Sequence, residues 1–381
     1  MSTHMSTRMS ADDSELHQLR ASVREFLEAK SPEEAVRKLM ESEPRFDLDV
    51  WAQAADQLRL PGLVIPEEYG GDGFGPVELG VVLEEMGRAL LCSPFFATVV
   101  LAAQALLASG DKDACARHLP GIAAGRTTAT LAVAEDDGSW DPALISARAV
   151  PDGNGDGGWL LSGRKSFVID GTTADLVVVV ARTVAGPSFF TVERASAGVT
   201  AEALETLDAT RAMARLTFDA VPATLVGPDG AGGRIMAKVL DIATVGLAAE
   251  QAGGARRCLE TSAEHARTRH QFGRPIGSFQ AVKHKCADML VQVELAEAAS
   301  REAARLAAEG AADFPVAAAV AHACCSRAYM FAAMENIQVH GGIGFTWEHP
   351  AHLYFRRAKS SQLLFGGPAL YHERLLDRLG I

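Results

Sequence analysis

The texture of the chain changes twice, and no other feature limits its fold as strongly. Up to about residue 125 the apolar residues recur at helical spacing; Leu16, Leu19, Val23, Phe26 and Leu27 make one stripe. Ser31-Pro32-Glu33-Glu34 reads as a helix start, with serine as the cap, proline in the first turn and Glu34 closing a capping box. From residue 126 short β-favouring runs follow one another: TTATLAVAE, WLLSGRKSFVID, ADLVVVVAR, SFFTVE and RLTFDAVPATLV. Turn clusters such as PDGNGDGG, a hairpin-like loop, separate them. At Gly230 the helical texture returns and holds to the end. It begins with an alanine-rich run containing Gly253–Gly254, a pair that costs about 1 kcal/mol per glycine against alanine and is best read as permitting close helix packing. The expected fold class is mixed α and β, mainly α. It has an N-terminal helical domain over 1–125, a middle β domain over 126–229 and a C-terminal helical bundle over 230–381. Alternating βαβ units are absent, which argues against a doubly wound nucleotide fold.

Charge and cysteine usage narrow the function. The net charge of −12 argues against nucleic-acid binding, so an anionic ligand needs local positive groups. Six cysteines without CxxC spacing fit a reducing, cytoplasmic setting better than zinc or disulfides. No HExxH pair or carboxylate cluster suggests a metal, and no G-x-S-x-G elbow suggests a hydrolase. No uninterrupted apolar run is long enough for a membrane span, so no membrane role is expected. The opening MSTHMSTRMS lacks an apolar core and does not read as a signal peptide.

Four stretches carry candidate chemistry. GGDGFG (70–75) is glycine-rich but lacks the spacing and the preceding strand of a dinucleotide loop. TRHQFGRPIGSFQAVKHK (268–285) groups Arg269, Gln271, Arg274, Gln280, Lys283 and His284 around a Gly-Pro turn, with Phe272 as a flat surface. It is either a solvated interhelical loop or a seat for an anionic cofactor. HGGIGF (340–345), after Gln338, is either a plain interhelical turn or a place where Gly341 and Gly342 bring backbone close to a phosphate. SSQLLFGG (360–367) is either a helix stopping on glycine or a pocket wall.

Together these stretches resemble the acyl-CoA dehydrogenase family, in family order along nearly the whole chain. The matching pieces are LVIPEEYGG (63–71), LEEMGRAL (83–90), GWLLSGRKSFVIDG (158–171), ADLVVVVAR (174–182), TRHQFGRPIGSFQAVKHKCADM (268–289) and QVHGGIGFTWEHPAHLYFRRAK (338–359). The resemblance implies a barrel-like middle domain and FAD bound without a Rossmann motif. It also implies α,β-dehydrogenation of an acyl-CoA thioester, with fatty-acid or sterol side-chain β-oxidation as the setting. In that reaction a glutamate removes the α-proton and the β-hydride moves to the flavin. The thioester carbonyl must be polarised, and the base must be positioned. An electron-transfer flavoprotein as acceptor and a homo- or hetero-oligomer, dimer or tetramer, are implied as well.

Carried over residue by residue, the resemblance divides the site. Arg269, Gln271 and Phe272 match positions that hold the pyrophosphate and adenine end of FAD, and Gln338, Gly341 and Gly342 match the segment that contacts the same end. In the family part of this contact reaches the neighbouring subunit's flavin. The ring end departs from the pattern. Where the family reads T-E-P-x-A-G-S this chain reads AEDDGSW (134–140), so Ala134 replaces a hydroxyl residue and Ser139 is a candidate contact. Phe167 takes the position of an aromatic, often tryptophan, against the ring, and Ile169 replaces a threonine. Phe365 falls on the catalytic glutamate, and Ala243 on the alternative base position used by some members. Asp241, turned by roughly 200° on the same helix, Glu250 and Glu373 are the remaining base candidates. Three readings follow. The chain is a base-lacking subunit paired with a base-bearing one, a self-sufficient enzyme with a relocated base, or a non-catalytic FAD/acyl-CoA-binding relative.

Overall fold

A computed structural model describes residues 2–153 and 158–381, with side chains from Ser14 onward. Residues 154–157, the tip of the PDGNGDGG loop, lie outside the described residues. Helices α1 (Ser2–Lys30), α2 (Glu33–Met40), α3 (Leu48–Leu58), α4 (Pro76–Arg88), α5 (Gln104–Ser109) and α6 (Lys112–Ala123) precede the strands. Strands β1 (Ala129–Ala132), β2 (Arg148–Pro151), β3 (Trp159–Ile169), β4 (Leu176–Arg182), β5 (Pro187–Glu193), β6 (Val199–Ala203) and β7 (Met213–Val226) follow. The C-terminal part holds α7 (Gly232–Thr268), a two-residue hairpin β8–β9 (His270–Gln271, Arg274–Pro275), α8 (Gln280–Ala308), α9 (Phe314–His340), α10 (Ala351–Leu363) and α11 (Pro368–Leu379). The helical, β-rich, helical order is the expected fold class.

The chain divides into two compact units, residues 1–37, 75–91 and 244–381 in one and residues 38–74 and 92–243 in the other. In the second unit the strands close on themselves. β4 pairs β2, β2 pairs β3, β3 pairs β7, β7 pairs β5 and β5 returns to β4. Closure removes the free sheet edges of these strands. β1 lies parallel on β4, and β6 adds to β7. LVVVVA in β4 is buried throughout, which explains its unbroken apolar run, whereas β7 alternates along much of its length. Phe96–Ala103 is a fully buried π-helix rather than an α-helix. Its Thr98 hydroxyl donates to the Ala129 carbonyl and accepts the Ala129 amide, which ties it to β1. Helical spacing does not distinguish the two, because the extra residue per turn is a packing response.

In the first unit, α1 buries Val23 and Leu27 of its apolar stripe. Helix α2 starts at Glu33 and Ser31 does not cap it; its hydroxyl donates to the Ala89 carbonyl instead. The helical run Phe314–Phe345 has the length and mean hydropathy of a membrane span, contrary to expectation, but 56% of its apolar window is buried, as in a bundle's core helix.

The glycines of α7 do what their spacing suggested. A Cβ at Gly253 would press into the Glu84 backbone carbonyl of α4, and a Cβ at Gly87 of α4 into the Glu250 carbonyl of α7. Gly254 faces the Tyr329 ring of α9 in the same way. The two backbones therefore cross closer than side chains would permit. Gly253→Ala should lower stability by about 1–3 kcal/mol despite alanine's better helix propensity, because backbone rather than a flexible side chain is in the way. A thermal melt with an unchanged midpoint would contradict this close crossing.

Candidate functional site

Each unit holds part of the predicted site. In the first unit the hairpin β8–β9 follows directly from α7. The Arg269 amide donates to the His265 carbonyl (2.9 Å) and the Ile276 amide to the Arg269 carbonyl (2.8 Å), which fixes the turn. Arg269, Gln271, Phe272 and Gln280 are all exposed; Phe272 is 91% exposed at φ +54°. Gln338 is exposed at the end of α9, and Gly341 and Gly342 follow it into a short 3₁₀ turn. Gly341 has φ +67°, and a Cβ on either glycine would meet nothing within 4 Å. The structure brings the two segments together: the His265 and His340 rings, one at each segment's root, are 4.2 Å apart.

This half suits the ADP end of FAD. It offers an exposed guanidinium, side-chain amides, a flat aromatic ring and open backbone at two glycines, the donor set that phosphate and adenine require. Among the described residues no group of His, Cys, Asp and Glu is arranged to hold a metal ion.

In the second unit, two of the residues predicted at the isoalloxazine end are buried. Ala134 and Ile169 are each 2% exposed. The Ala134 carbonyl accepts the Ser166 amide (2.9 Å), and the Ile169 carbonyl accepts the Thr130 hydroxyl (2.6 Å). Phe167 is partly exposed, in the left-handed region at φ +58°. The acidic side chains of AEDDGSW bond to their own unit. Glu135 accepts from the Ser146 and Ala147 amides, from the Ser146 hydroxyl, and from the fully buried Lys165 ammonium at 3.0 Å. Asp136 takes the Ser166 hydroxyl (2.6 Å) and pairs with Arg164 and Arg215. The Asp137 carboxylate accepts the Ser139 amide, and the Ser139 hydroxyl oxygen accepts the Asp141 amide. This stretch is a self-bonded acidic knot, and the half of the site it belongs to does not fit the polar contacts of a flavin ring.

Burial alone would raise the Glu135 carboxyl, but hydrogen bonds from Ser146 and Ala147 and the Lys165 charge pull it down to about 2. Burial pushes Lys165 down to about 8, against the pull of Glu135. The sign follows from linkage: a carboxyl depressed on folding contributes stability that is complete above about pH 4.3 and fades as the pH falls toward its folded value. Glu135→Gln should therefore flatten the loss of stability between about pH 4.3 and pH 2, as followed by urea denaturation at each pH.

The base candidates are accounted for one by one. Phe365 is 0% exposed at φ +65° between α10 and α11. Gly366 (φ +110°) and Gly367, the N-cap of α11, make the turn, so SSQLLFGG is a helix end and a helix start in one. Ala243 is fully buried. Asp241 is half-buried on α7, and Glu373 is exposed on α11. Glu250 is buried and bound to the equally buried Arg357 of α10 at 2.9 Å. A carboxylate held by a guanidinium is a poor proton acceptor. Sequence spacing did not foretell this pair, since its members are 107 positions apart.

Profiles of the acyl-CoA dehydrogenase N-terminal, middle and C-terminal domains match residues 13–126, 130–221 and 230–378, and the chain belongs to the acyl-CoA dehydrogenase family. FAD is the cofactor of this family of oxidoreductases, and so of this chain's chemistry. Acyl-CoA dehydrogenase IpdE2 of Mycobacterium tuberculosis is 35% identical over 361 residues, 95% of this chain and 96% of the relative. Among solved structures, a steroid acyl-CoA dehydrogenase variant, Tcur3481–Tcur3483, superposes with TM-score 0.87 at 34% identity, covering 97% of this chain and 98% of that one. The ChsE4–ChsE5 complex from Mycobacterium tuberculosis superposes with TM-score 0.86 at 30% identity, covering 96% and 97%.

Glu250→Gln should cost about 3–5 kcal/mol, because it removes the carboxylate that faces the buried Arg357 charge. Replacing both residues with apolar ones of similar volume should restore most of that loss. A melt of the single variant that matches the parent would show that the pair does not hold α7 to α10.

Proposed function

We propose that this chain is the base-lacking subunit of a heteromeric FAD-dependent acyl-CoA dehydrogenase. It supplies contacts to the ADP end of FAD, and a partner subunit supplies the catalytic glutamate and the ring pocket. The observation that carries this reading is Phe365, wholly buried at the family's base position, where it cannot take a proton. Ala243 at the alternative base position adds to it, as does the self-bonded acidic knot in the stretch that elsewhere meets the ring. Two relatives of known structure carry names of two-component complexes, Tcur3481–Tcur3483 and ChsE4–ChsE5, the first described as a steroid enzyme. The substrate class is accordingly an acyl-CoA thioester with a bulky, sterol-like side chain. An electron-transfer flavoprotein takes the electrons. A cytoplasmic setting and a division into domains at 1–125, 126–229 and 230–381 belong to the same reading.

Bound FAD accepts the β-hydride of the thioester. This chain's part is positional. Arg269 offers a guanidinium to the pyrophosphate, Phe272 a face to the adenine, and Gly341 and Gly342 a backbone free of side chains. Phe167, Ile169 and Ser139 are proposed to line the vestigial ring end, and Gln271, Gln280 and Gln338 to bond the ADP end.

Purified alone, the chain should be flavin-poor, with little absorbance at the flavin band, and should not reduce an artificial acceptor with octanoyl-CoA or a steroid side-chain CoA thioester. Co-expressed with a glutamate-bearing relative encoded beside it, it should form a yellow, active complex. Arg269→Ala in that complex should weaken FAD retention about ten- to a hundredfold, the loss of one charge-assisted bond. Robust turnover by the pure chain would overturn the reading in favour of a relocated base. A complex that forms without flavin reduction would favour a non-catalytic relative.

A further inference from the structure

Three histidine rings form a column at the root of the ADP-end segments. His265 lies in the last turn of α7, His340 ends α9, and His349 sits in the turn before α10. The ring centroids are 4.2 Å apart from His265 to His340 and 4.3 Å from His340 to His349, with tilts of 32° and 44°. The column is built into both segments. The His265 carbonyl accepts the Arg269 amide at 2.9 Å, and His340 directly precedes Gly341. His340 Nδ1 faces the Asn336 carbonyl at 2.8 Å, so that nitrogen carries the proton of the neutral ring and fixes its tautomer. Beyond the column, His352 meets Trp347 edge-on at 4.6 Å, and the Arg356 guanidinium lies 4.7 Å over that indole.

We propose that this column is a pH-sensitive clasp. While its rings are neutral it holds Arg269–Phe272 and Gln338–Gly342 in register, and as they protonate it lets the two segments part. The consequence is that the chain loses its grip on the ADP end of FAD in acid. That consequence rests on the function proposed above; the clasp itself does not.

Stacked neutral imidazoles attract through their faces, but two imidazolium rings at this separation repel, and burial strengthens the repulsion. The charged groups that act on the column are Arg269, just after α7, on His265 and Glu33 of α2 on His349, while Arg37 of α2 and Arg356 of α10 act on His352 beside it. Within the column, Glu33 favours protonation of His349, and Arg269 and the neighbouring rings oppose protonation. Burial, followed by these repulsions, holds His265 below the ordinary histidine range and pushes His349 down to about 4. Burial lowers His340 too, against its bond to the Asn336 carbonyl. The sign is that of a depressed base. The clasp is complete above the ordinary histidine pKa of about 6.5 and is lost as the pH falls from there toward about 4.

The test is amide hydrogen exchange of the whole chain, read by mass spectrometry on peptides covering residues 267–279 and 337–345, from pH 7.5 to 4.5 and corrected for the intrinsic pH dependence of exchange. Protection of both peptides should be constant above pH 6.5 and fall together, tenfold or more, by pH 4.5. In His265→Phe/His349→Phe, which keeps flat rings on both sides of His340 without their charge, the fall should shrink to within about threefold. Peptides from α8 should report that each protein remains folded across the range. Protection in the parent that does not change with pH, or an equal fall in the double variant, would overturn the clasp. ADP binding by the same chain, measured calorimetrically at pH 7.5 and 5.0, separates the two proposals. Weaker binding at pH 5.0 supports the clasp and its consequence. No ADP binding at either pH, with pH-dependent protection intact, supports the clasp and sinks the ADP-end reading.

Discussion

The bundle depends on one close crossing. Where α4 and α7 meet, each helix places a glycine under a backbone carbonyl of the other, Gly87 under Glu250 and Gly253 under Glu84. The carbonyls come from glutamates, so the contact that brings the helices together also positions two carboxylates. Glu250 reaches Arg357 on α10. Glu84, with its neighbour Glu85, meets Arg20 and Arg24 on α1, and Arg301 approaches Glu84 from α8. Burial raises the Glu84 carboxyl while Arg20 and Arg301 lower it, the balance expected of a carboxylate kept inside by its partners. Three further helices, α1, α8 and α10, are thus tied to a crossing that has room for hydrogen atoms only. Buried pairs of this kind contribute little net stability, but removing one partner is costly, so they fix which helices meet.

This crossing also bears on catalysis. Glu250 is one of the three relocated-base candidates, two turns from the family's alternative site. The arrangement that places its carbonyl over Gly87 turns its carboxylate toward Arg357. A base must be able to lose its ion pair, reach the substrate and regain its charge. A carboxylate buried against a guanidinium is bound into the scaffold instead, and freeing it would leave a buried charge unpaired. Structural need therefore removes a residue that composition alone would keep as a candidate.

What the sequence revealed follows the range of the interactions involved. Helical period, β-favouring runs and glycine turns are local, and the order of helical, β-barrel and helical parts could be read from them. Gly253–Gly254 was legible as a packing pair because a glycine inside a helix needs a reason. The ADP-end segments were legible because their backbone function is written in consecutive residues, QFG and HGGIGF. The π-helix at Phe96–Ala103 was not, since its apolar spacing suits an α-helix equally well. Neither was the column of His265, His340 and His349, which joins residues 75 and 9 positions apart and shows in sequence only as scattered histidines. AEDDGSW could be recognised as a departure from the family pattern. That its acids close on Lys165, Ser166, Arg164 and Arg215 depends on strand pairing that no spacing encodes.

The two halves of the flavin site differ in a way that physical cost makes informative. At the ring end, polar side chains are bonded among themselves and the apolar replacements are buried, so this half is stable as it stands. At the ADP end the backbone is held in conformations that favour other residues. Phe272 is a bulky side chain in the left-handed region and is almost wholly exposed, next to Gly273 at φ +75°. A phenylalanine there gives up both its preferred backbone and its burial. Phe345 and Trp347, on the neighbouring segment, are 81% and 61% exposed. Exposed aromatic surface around an open glycine turn is a cost that folding of this chain does not recover. A flat ligand and an apposed protein surface would recover it, through stacking on Phe272 and burial of the other two rings. Phe167 at the ring end shares the left-handed backbone, so what sets the ADP end apart is its exposed aromatic surface, which suits something outside the chain.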